Sequence, residues 1–226
     1  MNVYQPPAND TRALRPAAVC MTGGSFATGD RNKVTMNTWA KHLASRGFVA
    51  IVIDYRLEHP GPPDSSLNLG EDSTAAQGEG LGGANIINAT ALAGFNQAAA
   101  YDAKAAVRWL NKHAQEYRVS TDHIVAFGSS AGGMIVAWLT GVRTDGEGDS
   151  GNAGFPSNIT AGIALSGTLL PNEYAQIAPG QSPYLDFQGT ADPTVLIIES
   201  ELTHAAFVAK HNPAALIKIA GAKHVP

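Results

Sequence analysis

Gly128-Ser129-Ser130-Ala131-Gly132 lies between two apolar runs, His123-Ile124-Val125-Ala126-Phe127 before it and Met134-Ile135-Val136-Ala137-Trp138-Leu139 after it. The first run fits a buried strand and the second a helix, so the glycine pattern falls on a strand-to-helix turn. That context is the specific part of the signal. With 24 Gly in 226 residues, a Gly-x-Ser-x-Gly pattern arises by chance in about one such chain in seven. At so sharp a turn a Cβ two residues either side of the serine would meet the neighbouring strand or helix, which is the reason for glycine there. The Ser130 hydroxyl then stands out from the strand end as a candidate nucleophile. The competing reading makes Ser130 a helix N-cap, a position serine favours.

Working outward, further apolar runs cover residues 17–21, 48–53, 159–165, 184–187 and 216–220. Their near-continuous apolarity predicts parallel strands buried on both faces. Helical stripes lie between them: Met36, Trp39, Ala40 and Leu43, closed by Gly47, and Ala103, Ala106, Val107, Leu110, Ala114 and Tyr117. A further helix is expected over 201–210, stopping before Pro213. Strand–helix alternation predicts an α/β architecture: a doubly wound, mostly parallel sheet flanked by helices, in a single domain spanning 1–226. Val3-Tyr4-Gln5 is a candidate edge strand.

Composition narrows the function. A formal net charge of -4 and a pI near 5.9, with no run of Lys or Arg, argue against nucleic acid as a partner. No window approaches the roughly 20 apolar residues of a membrane span, and residues 1–10 lack the pattern of a signal peptide. The chain therefore reads as soluble. Cys20 is the only cysteine, which excludes an internal disulfide and a thiolate metal cage. Charged residues make up only 15%, and Asn9, Asn88 and Asn158 each open an N-x-T triplet, so a secreted or periplasmic location is favoured over a cytoplasmic one.

Two segments break the alternation. Residues 58–94 are rich in Gly, Pro, Ser and Asn, and so long an irregular stretch in a compact domain predicts a functional loop, here one covering the active site. Residues 143–158 form a second loop whose alternating acids, Asp145, Glu147 and Asp149, resemble a calcium loop that lacks the closing Glu; a solvated acidic turn is the alternative.

A serine nucleophile needs a base, a carboxylate to orient the base, and donors for an oxyanion. Asp192 follows the strand at 184–187 in Gln188-Gly189-Thr190-Ala191-Asp192, at a carboxyl end of the sheet where open α/β folds place their sites. Asp186, Glu199 and Glu201 are competing carboxylates. His224 follows the last strand, whereas His204 and His211 fall in or just after a helix. The order along the chain is Ser, Asp, His. Phe26 and Trp138 read either as walls of an acyl pocket or as core.

These blocks together resemble the α/β-hydrolases, and within them the carboxylesterase and hormone-sensitive-lipase-like branch. Met21-Thr22-Gly23-Gly24-Ser25-Phe26 is similar to that branch's H-G-G-G-F loop, and Val52-Ile53-Asp54-Tyr55-Arg56-Leu57 to its strand ending D-Y-R-L. The helix 101–110, the elbow, and the segments 189–192 and 221–224 follow in the family's order. The resemblance implies hydrolysis of small or short-acyl esters through an acyl-enzyme, with a Ser130–Asp192–His224 triad and no metal or organic cofactor. It implies an oxyanion hole from the backbone N–H groups of Gly23, Gly24 and Ala131, and Ser25, Phe26 and Ser129 near the substrate. Asp54, Arg56 and Asp102 are expected to tie loops together. Thr22 stands in place of the branch's His and Ser25 in place of its third Gly, so hydrogen bonding within this loop must differ. No helical cap is readable. Lactone, dienelactone or peptide hydrolysis, and a catalytically silent binding module, are the alternative functions on the same fold.

Overall fold

The structure is a computed structural model that describes residues 1–57, 86–142 and 147–226, with the side chains of 86–91 left out of the description. Among the described residues seven strands form one sheet in the order β1-β3-β2-β4-β5-β6-β7. They are β1 (Asn2–Tyr4), β2 (Arg15–Met21), β3 (Val49–Ile53), β4 (Val119–Ser129), β5 (Ala161–Leu165), β6 (Tyr184–Gly189) and β7 (Ala214–Ile219). The edge strand β1 runs antiparallel to β3 and every other neighbouring pair is parallel. All five residues of β3 are buried, as a continuous Val-Ala-Ile-Val-Ile run requires of a strand covered on both faces.

The two faces separate by the period of two. Ala17, Val19 and Met21 of β2 join one core cluster with Ile135, Trp138 and Phe207, while Ala18 and Cys20 join another with Met36 and Ala40. The helices α2 (Ile86–Lys112), α4 (Ala131–Gly141) and α5 (Ile197–Ala209) supply the first face; α1 (Val34–Ser45) packs on the second, over β1, β2 and β3. A short α3 (Ala114–Tyr117) leads into β4. Burial of Cys20 pushes its thiol up to about 12, so it packs as a small apolar group.

The predicted strands all form, with shifted ends: β4 begins at Val119 rather than near 123 and β7 covers 214–219. One expectation needs correction. The loop expected over 58–94 ends earlier, because α2 begins at Ile86; its remainder, 58–85, lies outside the described residues, and with it the proposed cover. Ala89, Ala91, Leu92 and Ala93 are strong helix formers that the Gly- and Asn-rich surroundings masked, and Asn96 and Ala99 are fully buried a turn later.

Candidate active site

Ser130 sits between the end of β4 and the start of α4 at φ 53°, ψ −122°, a region that costs a non-glycine residue about 1–3 kcal/mol and persists only where its surroundings hold it. They do. Its N–H donates to the Leu165 carbonyl at 2.9 Å and its own carbonyl accepts from the Met134 N–H at 2.9 Å. A Cβ on Gly128 would come within 2.3 Å of the Gly132 oxygen, and one on Gly132 within 2.2 Å of the Met21 oxygen. Both glycines of the motif are thus steric necessities of the turn.

His224 arrives on the loop after β7. This loop lies directly on the carboxyl end of β6, where a Cβ on Gly189 would come within 2.3 Å of the Ala222 oxygen and the Ala191 N–H donates to that same oxygen at 2.9 Å. The imidazole bridges the other two residues: Nε2 is 2.9 Å from Ser130 Oγ and Nδ1 is 2.8 Å from Asp192 Oδ2. Asp192 is nearly fully buried and accepts further from the N–H groups of Thr194 (2.8 Å) and Val195 (3.0 Å) and from Gln188 Nε2 (3.0 Å). Burial opposes its charge, but the hydrogen bonds from His224 and from these N–H groups outweigh it and hold the carboxyl below its usual range. An ionised carboxylate only accepts, so His224 must donate from Nδ1, leaving the Nε2 lone pair toward Ser130.

The glycine loop after β2 touches the nucleophile. A Cβ on Gly23 would come within 2.9 Å of Ser130 Cβ, and Gly24 takes φ +143°. Ala131 is the first residue of α4, so its N–H has no partner within the helix. Ser25 and Ser129 are half-buried beside them. Phe26, in contrast, is 1% exposed, belongs to the core cluster and meets Tyr55 edge-on at 6.1 Å. Trp138 is likewise core, against Tyr101.

The competing carboxylates are engaged elsewhere. Asp186 is buried in β6 and accepts from the Gly167 N–H at 3.2 Å; desolvation pushes it up to about 7. Glu199 accepts from the Leu196 N–H at the start of α5 (2.8 Å), and Glu201 pairs with Lys218 (2.5 Å). His204 and His211 lie on α5 and just beyond it. Asp54 pairs with Arg31, and Asp102 accepts from Arg56 and from Ser150, tying the end of β3 to α2 and to the loop at 147–152. In that loop Glu147 pairs with Arg108 and Asp149 with Arg56, and among the described residues no group of three acidic, His or Cys side chains could hold a metal.

Sequence reasoning missed Ser166, which follows β5. Its Oγ accepts from the Val225 N–H at 3.0 Å, next to His224, while its N–H donates to the Phe187 carbonyl at 3.0 Å. With Leu165 holding Ser130, the β5 end carries hydrogen bonds to both the nucleophile and the neighbour of the imidazole. Gln188 was missed too. A Ser-Gly pair directly after a buried strand was the available signal for Ser166; Gln188 left none.

A strained serine between strand and helix, on the carboxyl ends of a mostly parallel sheet, defines the α/β-hydrolase fold, and this chain has it. Residues 89–162 match the BD-FAE family. The chain is similar to Esterase LipI of Mycobacterium tuberculosis, at 27% identity over 137 residues, which is 60% of this chain and 32% of that protein; it spans about a third of the length of this curated relative. Its fold matches a thermophilic esterase of Thermogutta terrifontis with propionate bound, with a TM-score of 0.73 and 25% identity, covering 98% of this chain and 78% of that one. The same esterase phosphorylated by paraoxon matches at 26% identity and a TM-score of 0.73, covering 98% and 77%. The chain therefore has the α/β-hydrolase fold and is similar to esterases.

Proposed function

We propose that the chain is a carboxylesterase-type serine hydrolase acting on small or short-acyl esters. The observation that carries the reading is the continuous relay Ser130 Oγ to His224 Nε2 at 2.9 Å and His224 Nδ1 to Asp192 at 2.8 Å, mounted on the strained elbow. His224 takes the Ser130 proton as Oγ attacks the ester carbonyl, and the imidazolium that forms is stabilised by Asp192. Collapse of the tetrahedral intermediate expels the alcohol, which takes the proton from His224. Water then attacks the acyl-enzyme by the same route, releasing the acid and restoring Ser130. The N–H groups of Gly23, Gly24 and Ala131 are the donors for the oxyanion, each worth about 3–4 kcal/mol in the barrier.

Two similarities support the ester class: the relative of known structure carries propionate in one form and is phosphorylated by paraoxon in another. The test is hydrolysis of nitrophenyl esters from C2 to C16, with Ser130→Ala as control. We expect an optimum at about C2 to C6, because each buried methylene adds about 0.8 kcal/mol only until the pocket is full, and a loss of about 10⁴ or more in kcat for the variant. An optimum at C12 or beyond would refute the short-acyl reading, and full activity in the variant would remove Ser130 from the mechanism.

A further inference from the structure

A trans peptide unit is planar, with its C=O and N–H pointing in opposite directions. The Gly23 N–H therefore faces away from the Thr22 carbonyl, the Gly24 N–H from the Gly23 carbonyl, and the Ser25 N–H from the Gly24 carbonyl. All three carbonyls are held. The Tyr55 hydroxyl donates to Thr22 O at 2.7 Å, the Lys33 ammonium donates to Gly23 O at 3.0 Å, and the N–H groups of Ala27 and Thr28 donate to Gly24 O at 2.9 and 3.0 Å. The opposite ends of these peptides are open: among the described residues no protein acceptor takes the N–H of Gly23, Gly24 or Ser25. Successive free N–H groups beside a nucleophile form a concavity for negative charge.

We propose that Tyr55 and Lys33 are positioning residues of the oxyanion hole, fixing the Gly23 and Gly24 peptides from their carbonyl side so that the N–H groups are held ready for the charge that develops on substrate. The inference rests on the serine-esterase reading. Tyr55 acts from beneath the loop. Its ring is 5% exposed, packed against Phe26, and a Cβ on Gly29 would come within 2.8 Å of its hydroxyl oxygen; burial pushes the phenol well up, so it remains a donor. Lys33 acts from the start of α1, and its positive charge on Gly23 O also polarises that peptide, strengthening the Gly24 N–H as a donor. Preorganised donors contribute because they need no reorientation as charge appears. This also accounts for Thr22 in the chain: its buried Oγ1 has no partner among the described residues, so the loop is ordered through the Thr22 carbonyl and not through that side chain.

Tyr55→Phe keeps the ring packing and removes only the donor; Lys33→Met keeps the length and removes the charge. With nitrophenyl butyrate we expect each to lower kcat about tenfold, less than the 10²–10³ of deleting a donor outright. KM should stay within about twofold, because the ground-state carbonyl gains little from these donors. Inhibition by a trifluoromethyl ketone, whose adduct with Ser130 carries the oxyanion, should weaken by the same factor. Lys33→Arg should recover most of the rate, and thermal melting of each variant should stay close to wild type. Unchanged kcat and unchanged ketone affinity in both variants, with an active wild type, would overturn this proposal alone, as would a raised KM at constant kcat. A wild-type chain that hydrolyses no ester and is not labelled at Ser130 by an organophosphate would overturn the esterase reading and this one together.

Discussion

Asp192 shows how the charge of one carboxylate is favoured while that of two others on the same framework is disfavoured. Its Oδ1 is capped by two backbone N–H groups and its Oδ2 by His224 and Gln188, whereas Asp186 and Glu173 are each buried with fewer donors and are pushed up to about 7. Asp192→Asn should keep the N–H caps on its remaining oxygen, and hence the fold, but deny His224 its tautomer; we expect kcat to fall by about 10⁴ at an unchanged melting temperature. Glu173 gives the opposite kind of prediction. It accepts from the Leu170 N–H and from Asn96 Nδ2, while Asn96 Oδ1 has no partner among the described residues. An acid whose folded value lies above its unfolded one binds more protons when folded, so its contribution to stability falls as pH rises from about 4 to about 7. Glu173→Gln cannot ionise, and its Nε2 donates to Asn96 Oδ1 once the Asn96 amide flips. It should gain on the order of 1 kcal/mol, about 2–4 °C in Tm, at pH 8 and little at pH 4.5. Thermal melts at the two pH values check this; equal shifts at both would detach the effect from ionisation. At this scale the sequence was legible where chemistry and local position coincide. Ser130, Asp192 and His224 each follow a strand beside a glycine. Ser166 and Tyr55 gain their partners only by folding, from positions 59 and 33 residues away. Phe26 stayed open between two readings because an aromatic beside a glycine loop looks the same in a pocket wall and in a core.

Among the elements, the end of β5 is packed at backbone distance against its neighbour. Gly167 closes it, and a Cβ there would meet Ala164 Cβ at 2.7 Å and the Gly133 oxygen at 2.8 Å, so the first turn of α4 and the end of β5 approach at backbone distance. Gly167→Ala should therefore cost on the order of 2 kcal/mol in urea unfolding and lower kcat further than a change in β3 of equal or larger cost, such as Ile51→Ala, because Leu165 and Ser166 beside it hold the elbow and the segment after His224. Equal effects on kcat would make the turn a packing feature only. Periodicity found the elements but not their ends. β4 starts early because its pairing with β2 shifts register between Arg15 and Ala17, a tertiary irregularity without a local signature, and α2 starts early because alanines were averaged with a glycine-rich neighbourhood.

Across the whole molecule the candidate site draws on strands of very different burial. The nucleophile leaves β4 between β2 and β5, in the centre of the sheet. The imidazole is carried by the loop after β7, an edge strand on which Ile217 and Ile219 are 45% and 36% exposed. Amide hydrogen exchange should mirror this, with 214–219 exchanging far faster than 17–21 or 124–128, since local opening follows contact and burial. In the proposed enzyme, loss of activity on heating begins at this edge. Among the described residues β7 pairs only with β6, so detaching it breaks that one ladder and withdraws His224, while Ser130 keeps its bonds to Leu165 and Met134. Inactivation should then be a sub-global, reversible event that sets in below the melting of the central sheet, and a disulfide or extra pairing that pins β7 to β6 would raise the working temperature without touching a residue of the site.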